Sequence, residues 1–91
     1  MTTTLTDNTA ESRFELDVDG QIAYANYERQ GQSLVIPFVY AAPPLRGTGA
    51  AERVMEGVTD IARQEGRKIV PLCGYARAWL RRHPEHGDLV V

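Results

Sequence analysis

A glycine turn directly ahead of a predicted helix is the feature of this sequence that most directly suggests chemistry. The turn reads Arg46-Gly47-Thr48-Gly49-Ala50-Ala51, and two prolines precede it. The first backbone N–H groups of a helix have no partner inside the helix and lie at the positive end of its dipole. Glycine has no Cβ, so a ligand can approach those groups closely. The turn therefore predicts an anion site suited to a diphosphate.

Two common phosphate-binding motifs do not fit this turn. A P-loop needs Lys followed by Ser or Thr after its second glycine, where this chain has Ala50 and Ala51. A dinucleotide fingerprint needs a third glycine, where this chain has Glu52, and a Rossmann domain needs more strands than 91 residues provide. The sequence thus argues against nucleoside triphosphate hydrolysis and against NAD binding.

A basic cluster near the end of the chain is a second candidate site. It contains Arg77, Arg81, Arg82 and His83. A solvated helix face explains these residues, and the alternative is contact with phosphate groups or with an acidic partner. A single cysteine, Cys73, excludes an internal disulfide, and one cysteine with two histidines cannot build a structural zinc site. We expect no metal.

The elements that hold these residues follow from hydrophobic periodicity. Residues 1–12 show none and are predicted to be a flexible tail, whereas residues 13–91 form one domain. Period-two alternation predicts strands over 13–18 and from residue 21, joined at Asp19-Gly20, and a third strand over 33–42. These strands form an antiparallel meander.

The second half of the sequence predicts a crossover unit. Apolar residues recur at helical spacing over 49–65, Gly66 suits the position after the helix, and residues 67–73 form a fourth strand. A short closing helix ends before Pro84. Strand, helix and strand place the two strands parallel, with ligands expected at their carboxyl ends beside the helix start. The fold class is α/β.

Overall charge argues against nucleic-acid and membrane partners. Ten basic and twelve acidic residues give a formal charge of −2. The first residues lack the basic and apolar regions of a signal peptide, and no apolar run is long enough to span a membrane. We expect a cytoplasmic protein.

The glycine turn also matches the pattern Gln/Arg-x-x-Gly-x-Gly/Ala at every fixed position. With "LRGTGAA", "KIVPLCGYARAWLRRHPEH" and the order of elements, residues 14–89 resemble the small stand-alone branch of the GNAT acetyltransferase superfamily, which carries a cysteine after Pro-Leu. The resemblance implies a minimal GNAT-like fold, acetyl-CoA as cosubstrate and an amine acceptor, which is a small molecule, a protein or a peptide.

Within that superfamily the strands flanking the crossover helix splay apart, and the pantetheine arm of the coenzyme pairs with backbone in the gap. Pro37 and Pro71 lie in these strands and lower the cost of splaying, because proline donates no N–H; the alternative is that each faces outward at a bulge. The resemblance implies coenzyme contacts from several residues. They are Phe38, Val39, Tyr40, Arg46, Gly47, Thr48, Gly49, Ala50, Ala51, Cys73, Tyr75 and Arg82.

The reacting groups depart from the superfamily pattern. Phe38-Val39-Tyr40 replaces a His-Thr-Glu stretch of many relatives, and Leu80 aligns with the proton-donating tyrosine of larger members. The catalytic candidates are Cys73, as an acyl acceptor or a hydrogen-bond partner of sulfur, and Tyr40, as a proton donor. Cys73 also suits a small buried position, and both Tyr40 and Tyr75 also suit simple packing.

Three functions follow from these observations. The first is an N-acetyltransferase that moves an acetyl group from acetyl-CoA to an amine, such as a lysine or N-terminus of a peptide. The second is a non-catalytic module that binds or senses acyl-CoA, which suits the missing carboxylate and tyrosine. The third is a small interaction domain that uses the arginine face.

Overall fold

The strands of this protein form two sheets. A computed structural model describes residues 5–91. One sheet has the order β1-β2-β3-β6 and the other β4-β5-β7. The elements are β1 (Thr6–Asn8), β2 (Arg13–Val18), β3 (Gln21–Asn26), β4 (Glu28–Gln30), β5 (Ser33–Ile36), β6 (Val39–Ala41), a 3₁₀ turn (Pro43–Leu45), α1 (Ala50–Glu65), β7 (Lys68–Pro71), α2 (Gly74–Arg81) and a second 3₁₀ segment (Pro84–Leu89).

The β2–β3 hairpin forms as the sequence predicts. Asp19 and Gly20 both have positive φ, at 52° and 84°, which a two-residue turn of the primed type requires. The antiparallel register runs from Val18 opposite Gln21 to Arg13 opposite Asn26. Alternation then buries one face of the hairpin, including Phe14, against the core.

The long second and third strands are each split in two. Ala25 pairs with Val39 between β3 and β6, and Glu28 pairs with Val35 between β4 and β5. Residues 26 and 27 therefore lie opposite residues 36, 37 and 38, so the chain after β5 carries one extra residue, which is a β-bulge. The prediction of one continuous strand over 33–42 is wrong, because Pro37 lies in neither strand and is exposed.

Helix α1 and the crossover agree closely with the sequence. Its apolar stripe, including Val54, Met55 and Val58, is fully buried against the sheet. Gly66 ends the helix in the left-handed conformation, at φ 67°. Its backbone N–H donates to the carbonyl oxygens of Ala62 and Arg63 in the last turn of the helix. β5 and β7 are parallel, with Ile36 opposite Pro71. The α/β class, the meander and the β-α-β crossover are thus confirmed.

The N-terminal prediction needs correction. Residues 6–8 form β1, which pairs antiparallel with β2, with Asn8 opposite Arg13, where the sequence predicted a structureless tail through residue 12. β1 was missed because an edge strand is held by backbone hydrogen bonds, and its polar side chains carry no hydrophobic period. Residues 1–4 lie outside the described residues. No helix in the described part of the chain is long and apolar enough to cross a membrane.

Candidate functional site

A cleft lies between β6 and the end of β7. β5 pairs with β7 as far as Ile36, whose carbonyl accepts the N–H groups of Leu72 at 3.0 Å and Cys73 at 3.3 Å. After the bulge, β6 pairs with β3 and not with β7. The two neighbouring strands therefore diverge at their carboxyl ends, as the resemblance implied, and the start of α2 faces β6 across the gap.

Pro71 does not cause this divergence. Leu72 donates its N–H to β5, whereas Ile69 accepts the N–H of Val91 on the opposite edge of β7 at 3.2 Å. Because alternate residues of a strand direct their backbone groups to opposite sides, Pro71 faces the same outer edge as Ile69. The strands separate at the Pro37 bulge, and for Pro71 the outward-facing alternative is correct.

Backbone groups of β6 point into the cleft. Asn26 donates its N–H to Phe38 O at 2.8 Å, and Ala42 donates to Ile22 O at 3.1 Å. In an antiparallel pair the intervening odd-numbered residues direct their backbone groups away from the partner strand. The N–H of Val39 is therefore directed to the cleft side, within the stretch 38–40 for which the resemblance implies coenzyme contacts.

The glycine turn leaves a row of helix N–H groups without protein partners. Gly47 and Gly49 have φ of 81° and 86°, a conformation that side chains rarely adopt. The first helical hydrogen bond runs from Arg53 N–H to Gly49 O at 3.1 Å, and no side chain caps the helix. Within residues 5–91, the N–H groups of residues 49–52 meet no protein acceptor. The predicted anion cradle is thus open.

These groups line a pocket of 320 Å³ between α1, β6 and α2. Six predicted residues lie on it: Arg46, Gly47, Gly49, Ala50, Ala51 and Tyr75. Ala41, Leu45 and Glu52 also line it and were missed. Glu52 follows the turn directly, and its position three residues after the N-cap was the available signal. Thr48 is absent from the lining, and its hydroxyl instead donates to Leu45 O at 2.5 Å.

Tyr40 lies on the outer face of the β1-β2-β3-β6 sheet, the face opposite the buried alanines of β3. Its ring centroid is 5.2 Å from that of Tyr24 and 6.4 Å from that of Phe38, and the Arg46 guanidinium lies 5.7 Å from the ring centre. Arg46 Nε also donates to Ala41 O at 3.0 Å. Tyr40 therefore belongs to an aromatic row beside the pocket and is not part of its lining.

Cys73 and Tyr75 lie at the start of α2. Cys73 is half-buried, directly precedes the helix and packs against the edge of the core. Burial raises the pKa of the Tyr75 hydroxyl, Glu52 raises it further, and Arg82 acts in the opposite direction. Tyr75 therefore stays protonated at neutral pH and can donate a hydrogen bond or proton. Arg82 is exposed at the end of α2, near enough to influence Tyr75.

The described residues contain no group of three or more His, Cys, Asp and Glu side chains placed to hold a metal ion. His83 instead stacks on Trp79, with 3.9 Å between ring centroids, and His86 lies beside Arg63.

Comparison with known proteins agrees with this architecture. The model of the GCN5-related N-acetyltransferase family matches residues 13–89. Among curated proteins, none matches the chain. The solution NMR structure of a GCN5-like protein from Staphylococcus aureus superposes with a TM-score of 0.76 at 19% identity, covering 99% of this chain and 89% of the other. This likeness shows a shared fold. By its match to the family model over most of its length, the chain belongs to the GCN5-related N-acetyltransferase family.

Proposed function

We propose that the protein is an acetyl-CoA-dependent N-acetyltransferase that transfers an acetyl group to an amine. The observation that carries this proposal is the row of N–H groups at residues 49–52, which have no acceptor in the described part of the chain, in a pocket beside diverging strands. Family membership supports acyl transfer in general. The coenzyme, the acyl group and the acceptor are the proposed parts.

The residues present suit a diphosphate with an extended thiol-bearing arm. The helix N–H groups and the two left-handed glycines would bind the diphosphate, and Arg46 and Arg82 would add positive charge at its margins. The cleft side of β6 would pair with the amides of the arm, and Val39 N–H would bind the thioester carbonyl. The coenzyme supplies an acyl group activated as a thioester.

Transfer forms a bond between the acceptor nitrogen and the acyl carbon and breaks the bond between that carbon and sulfur. The proton lost by the amine balances the departing thiolate. Residues 38–40 contain no carboxylate or imidazole to take that proton. Tyr75, protonated and partly buried in the pocket wall, would be the proton donor to sulfur, and Cys73, two residues before it, is the candidate nucleophile.

A non-catalytic acyl-CoA binding module is the second candidate. Two observations favour it: Leu80, at the position of the proton-donating tyrosine in larger relatives, is buried, and the side chain of Tyr40 lies outside the pocket. Such a module would keep the diphosphate cradle and lose only transfer. The cytoplasmic location expected from the sequence stays a prediction in both cases.

Turnover and ligand-induced stabilisation together separate these functions. The protein is incubated with acetyl-CoA and a panel of amines that includes lysine and N-terminal peptides, and release of free CoA is followed. We expect release above the uncatalysed rate, together with a rise in melting temperature with acetyl-CoA but not with NAD. A rise in melting temperature without turnover would support the binding module. No effect of acetyl-CoA on either measurement would contradict both proposals.

Replacing Cys73 with alanine tests its catalytic role. We expect Cys73→Ala to lower kcat by about a hundredfold, with acetyl-CoA affinity within about twofold of wild type, because the thiol acts on the reacting group rather than on the diphosphate. Trapping acid-quenched enzyme for mass spectrometry shows whether Cys73 carries an acetyl group. Unchanged turnover in the variant would exclude the covalent route and leave Cys73 as a packing residue.

A further inference from the structure

A second and larger cavity lies on another flank of α2. Its volume is 570 Å³, compared with 320 Å³ for the pocket at the glycine turn. It lies among β7, α2 and the last residues of the chain. The lining residues are Pro71, Gly74, Arg77, Leu80, Arg81, Val90 and Val91.

Helix geometry places the arginines of the basic cluster on two different sides of α2. Gly74, Arg77 and Arg81 are spaced i, i+3 and i+7, so they form one stripe along α2, and this stripe lines the larger cavity. Tyr75 lines the pocket at the glycine turn, and Arg82, seven residues later, shares its side of the helix and acts on its hydroxyl through charge. Cys73 directly precedes Gly74, which lines the larger cavity, and lies two residues before Tyr75, which lines the pocket at the glycine turn.

The larger cavity combines an apolar floor with two free cations. Leu80, Val90 and Pro71 provide apolar surface. Within residues 5–91, Arg77 and Arg81 take part in no ion pair, either with a side chain or with the α-carboxylate of Val91, and in no side-chain hydrogen bond, and the lining contains no Asp or Glu. Four other arginines of the fold, by contrast, are paired with carboxylates: Arg13, Arg29, Arg63 and Arg67.

The outer edge of β7 adds one backbone acceptor. Val91 donates its N–H to Ile69 O at 3.2 Å, so the end of the chain starts a short parallel pairing along this edge. The next carbonyl directed to the same edge is that of Pro71, which has no N–H of its own to satisfy. A second extended segment can therefore donate one hydrogen bond to Pro71 O without leaving a buried donor unpaired.

We propose that this cavity binds the acceptor, an acidic peptide in extended conformation. Its carboxylates would bind Arg77 and Arg81, an apolar side chain would cover the half-buried Val90 and Pro71, and its amine would reach the start of α2 near Cys73. Diphosphate and acceptor then approach the reacting centre from different flanks of one helix. The role as acceptor rests on the proposed function, whereas the binding of the peptide does not.

Fluorescence anisotropy without coenzyme tests the binding directly. The probes are the peptide Lys-Glu-Val-Glu-Ala and its neutral match Lys-Gln-Val-Gln-Ala, each carrying fluorescein at the C-terminus. We expect the acidic peptide to bind wild type at least about tenfold more tightly than the neutral one, with affinity falling as salt rises. The double variant Arg77→Gln/Arg81→Gln should remove this preference. Arg53→Gln, which changes an exposed arginine outside both cavities, should keep it.

The melting temperature and the acetyl-CoA binding of the double variant show whether a loss of peptide preference comes from the two arginines or from unfolding. The melting temperature of the double variant should stay near wild type, because both arginines are exposed and unpaired among the described residues, and its acetyl-CoA binding should be retained. Equal binding of the two peptides, or an unchanged preference in a folded double variant, would overturn the proposal. Peptide binding without any effect of acetyl-CoA on wild type would instead contradict the proposed function and leave this cavity's ligand standing.

Discussion

Gly49 has two roles in one residue. As the N-cap of α1 it takes a left-handed conformation, at φ 86°, and it contributes the first of the helix N–H groups that have no acceptor among the described residues. No side chain of residues 5–91 caps this end of the helix, which leaves the groups accessible at a cost in helix stability. The residue that closes the turn is thus also the residue that keeps the proposed anion site accessible.

Replacing this glycine should affect both properties. We expect Gly49→Ala to lower stability by about 1 kcal/mol, because alanine at positive φ is strained, and to weaken acetyl-CoA binding as the turn adjusts. Thermal melts and calorimetric titration measure the two effects. Gly87→Ala is the matched control, since Gly87 is exposed and has no positive φ. Loss of stability with unchanged coenzyme affinity would contradict a binding role for the turn.

The positions of some side chains could be predicted from the sequence and those of others could not. The turn residues 46–51 could be predicted because glycine and proline fix the local conformation, and six predicted residues do line one pocket. The side chain of Tyr40 could not be placed. Which face of a strand a residue occupies depends on the count of residues along it, and the bulge at 37–38 changes that count.

Gly57 lies where α1 contacts the residue just before β1. It is buried in the middle of α1, and a Cβ at this position would lie 2.6 Å from Leu5 Cγ. The glycine therefore makes room for Leu5, which directly precedes β1 and packs on the core. A glycine inside a helix costs about 1 kcal/mol relative to alanine, and here this contact offsets that cost.

A double-mutant cycle tests this contact. In a Leu5→Ala background, Gly57→Ala should stabilise the protein by about 1 kcal/mol through helix propensity. With Leu5 present the gain should disappear, because the new methyl group displaces the leucine, and hydrogen exchange of the β1 amides should accelerate. Denaturant unfolding gives the energies. An equal gain in both backgrounds would show that Leu5 does not occupy the space above Gly57.

Ion pairs and hydrogen bonds of Glu65 fix the C-terminal end of α1. The Glu65 carboxylate accepts hydrogen bonds from Arg29 at 2.8 and 2.9 Å and from Arg67 at 2.7 Å. These contacts, Arg29 first, lower the pKa of Glu65 from 4.5 to about 2. Arg29 also pairs with Asp7 of β1 at 3.3 Å. One network thus joins the end of α1 to both sheets.

This network predicts a specific acid response. Because the pKa of Glu65 is lower in the folded state, its contribution to stability is present above pH 4.5 and is lost as the pH falls toward 2. The difference in melting temperature between wild type and Glu65→Gln should therefore be largest near neutral pH and shrink across that window. Glu56→Gln, at an exposed site of the same helix, should show no such trend. A difference independent of pH would contradict the ion-pair account.

Elements differ in how far the sequence determines them. α1 could be predicted almost to the residue, because its apolar period, the glycine at each end and its length are local properties. The division of two strands between two sheets could not, since it depends on which strands become neighbours. Neither the bulge nor β1 leaves a hydrophobic period in the sequence.

The molecule as a whole has one covered and one open side. α1 packs on one face of the β1-β2-β3-β6 sheet, and the opposite face carries half-buried side chains such as Tyr24 and Tyr40. Two cavities flank α2 at the end where β6 and β7 diverge. Most of this 91-residue chain thus builds one core. The proposed site lies at the rim of that core and is formed largely by backbone groups.

The proposed function requires this rim to bind the diphosphate of an acyl-CoA through the N–H groups at the start of α1. Titration of ¹⁵N-labelled protein with CoA, followed by amide chemical shifts, tests it most directly. We predict the largest shifts at the amides of Gly47 and Gly49 through Glu52 and at Val39, with little change in the β2–β3 turn. Shifts confined to other parts of the chain, or none at saturating CoA, would contradict the account.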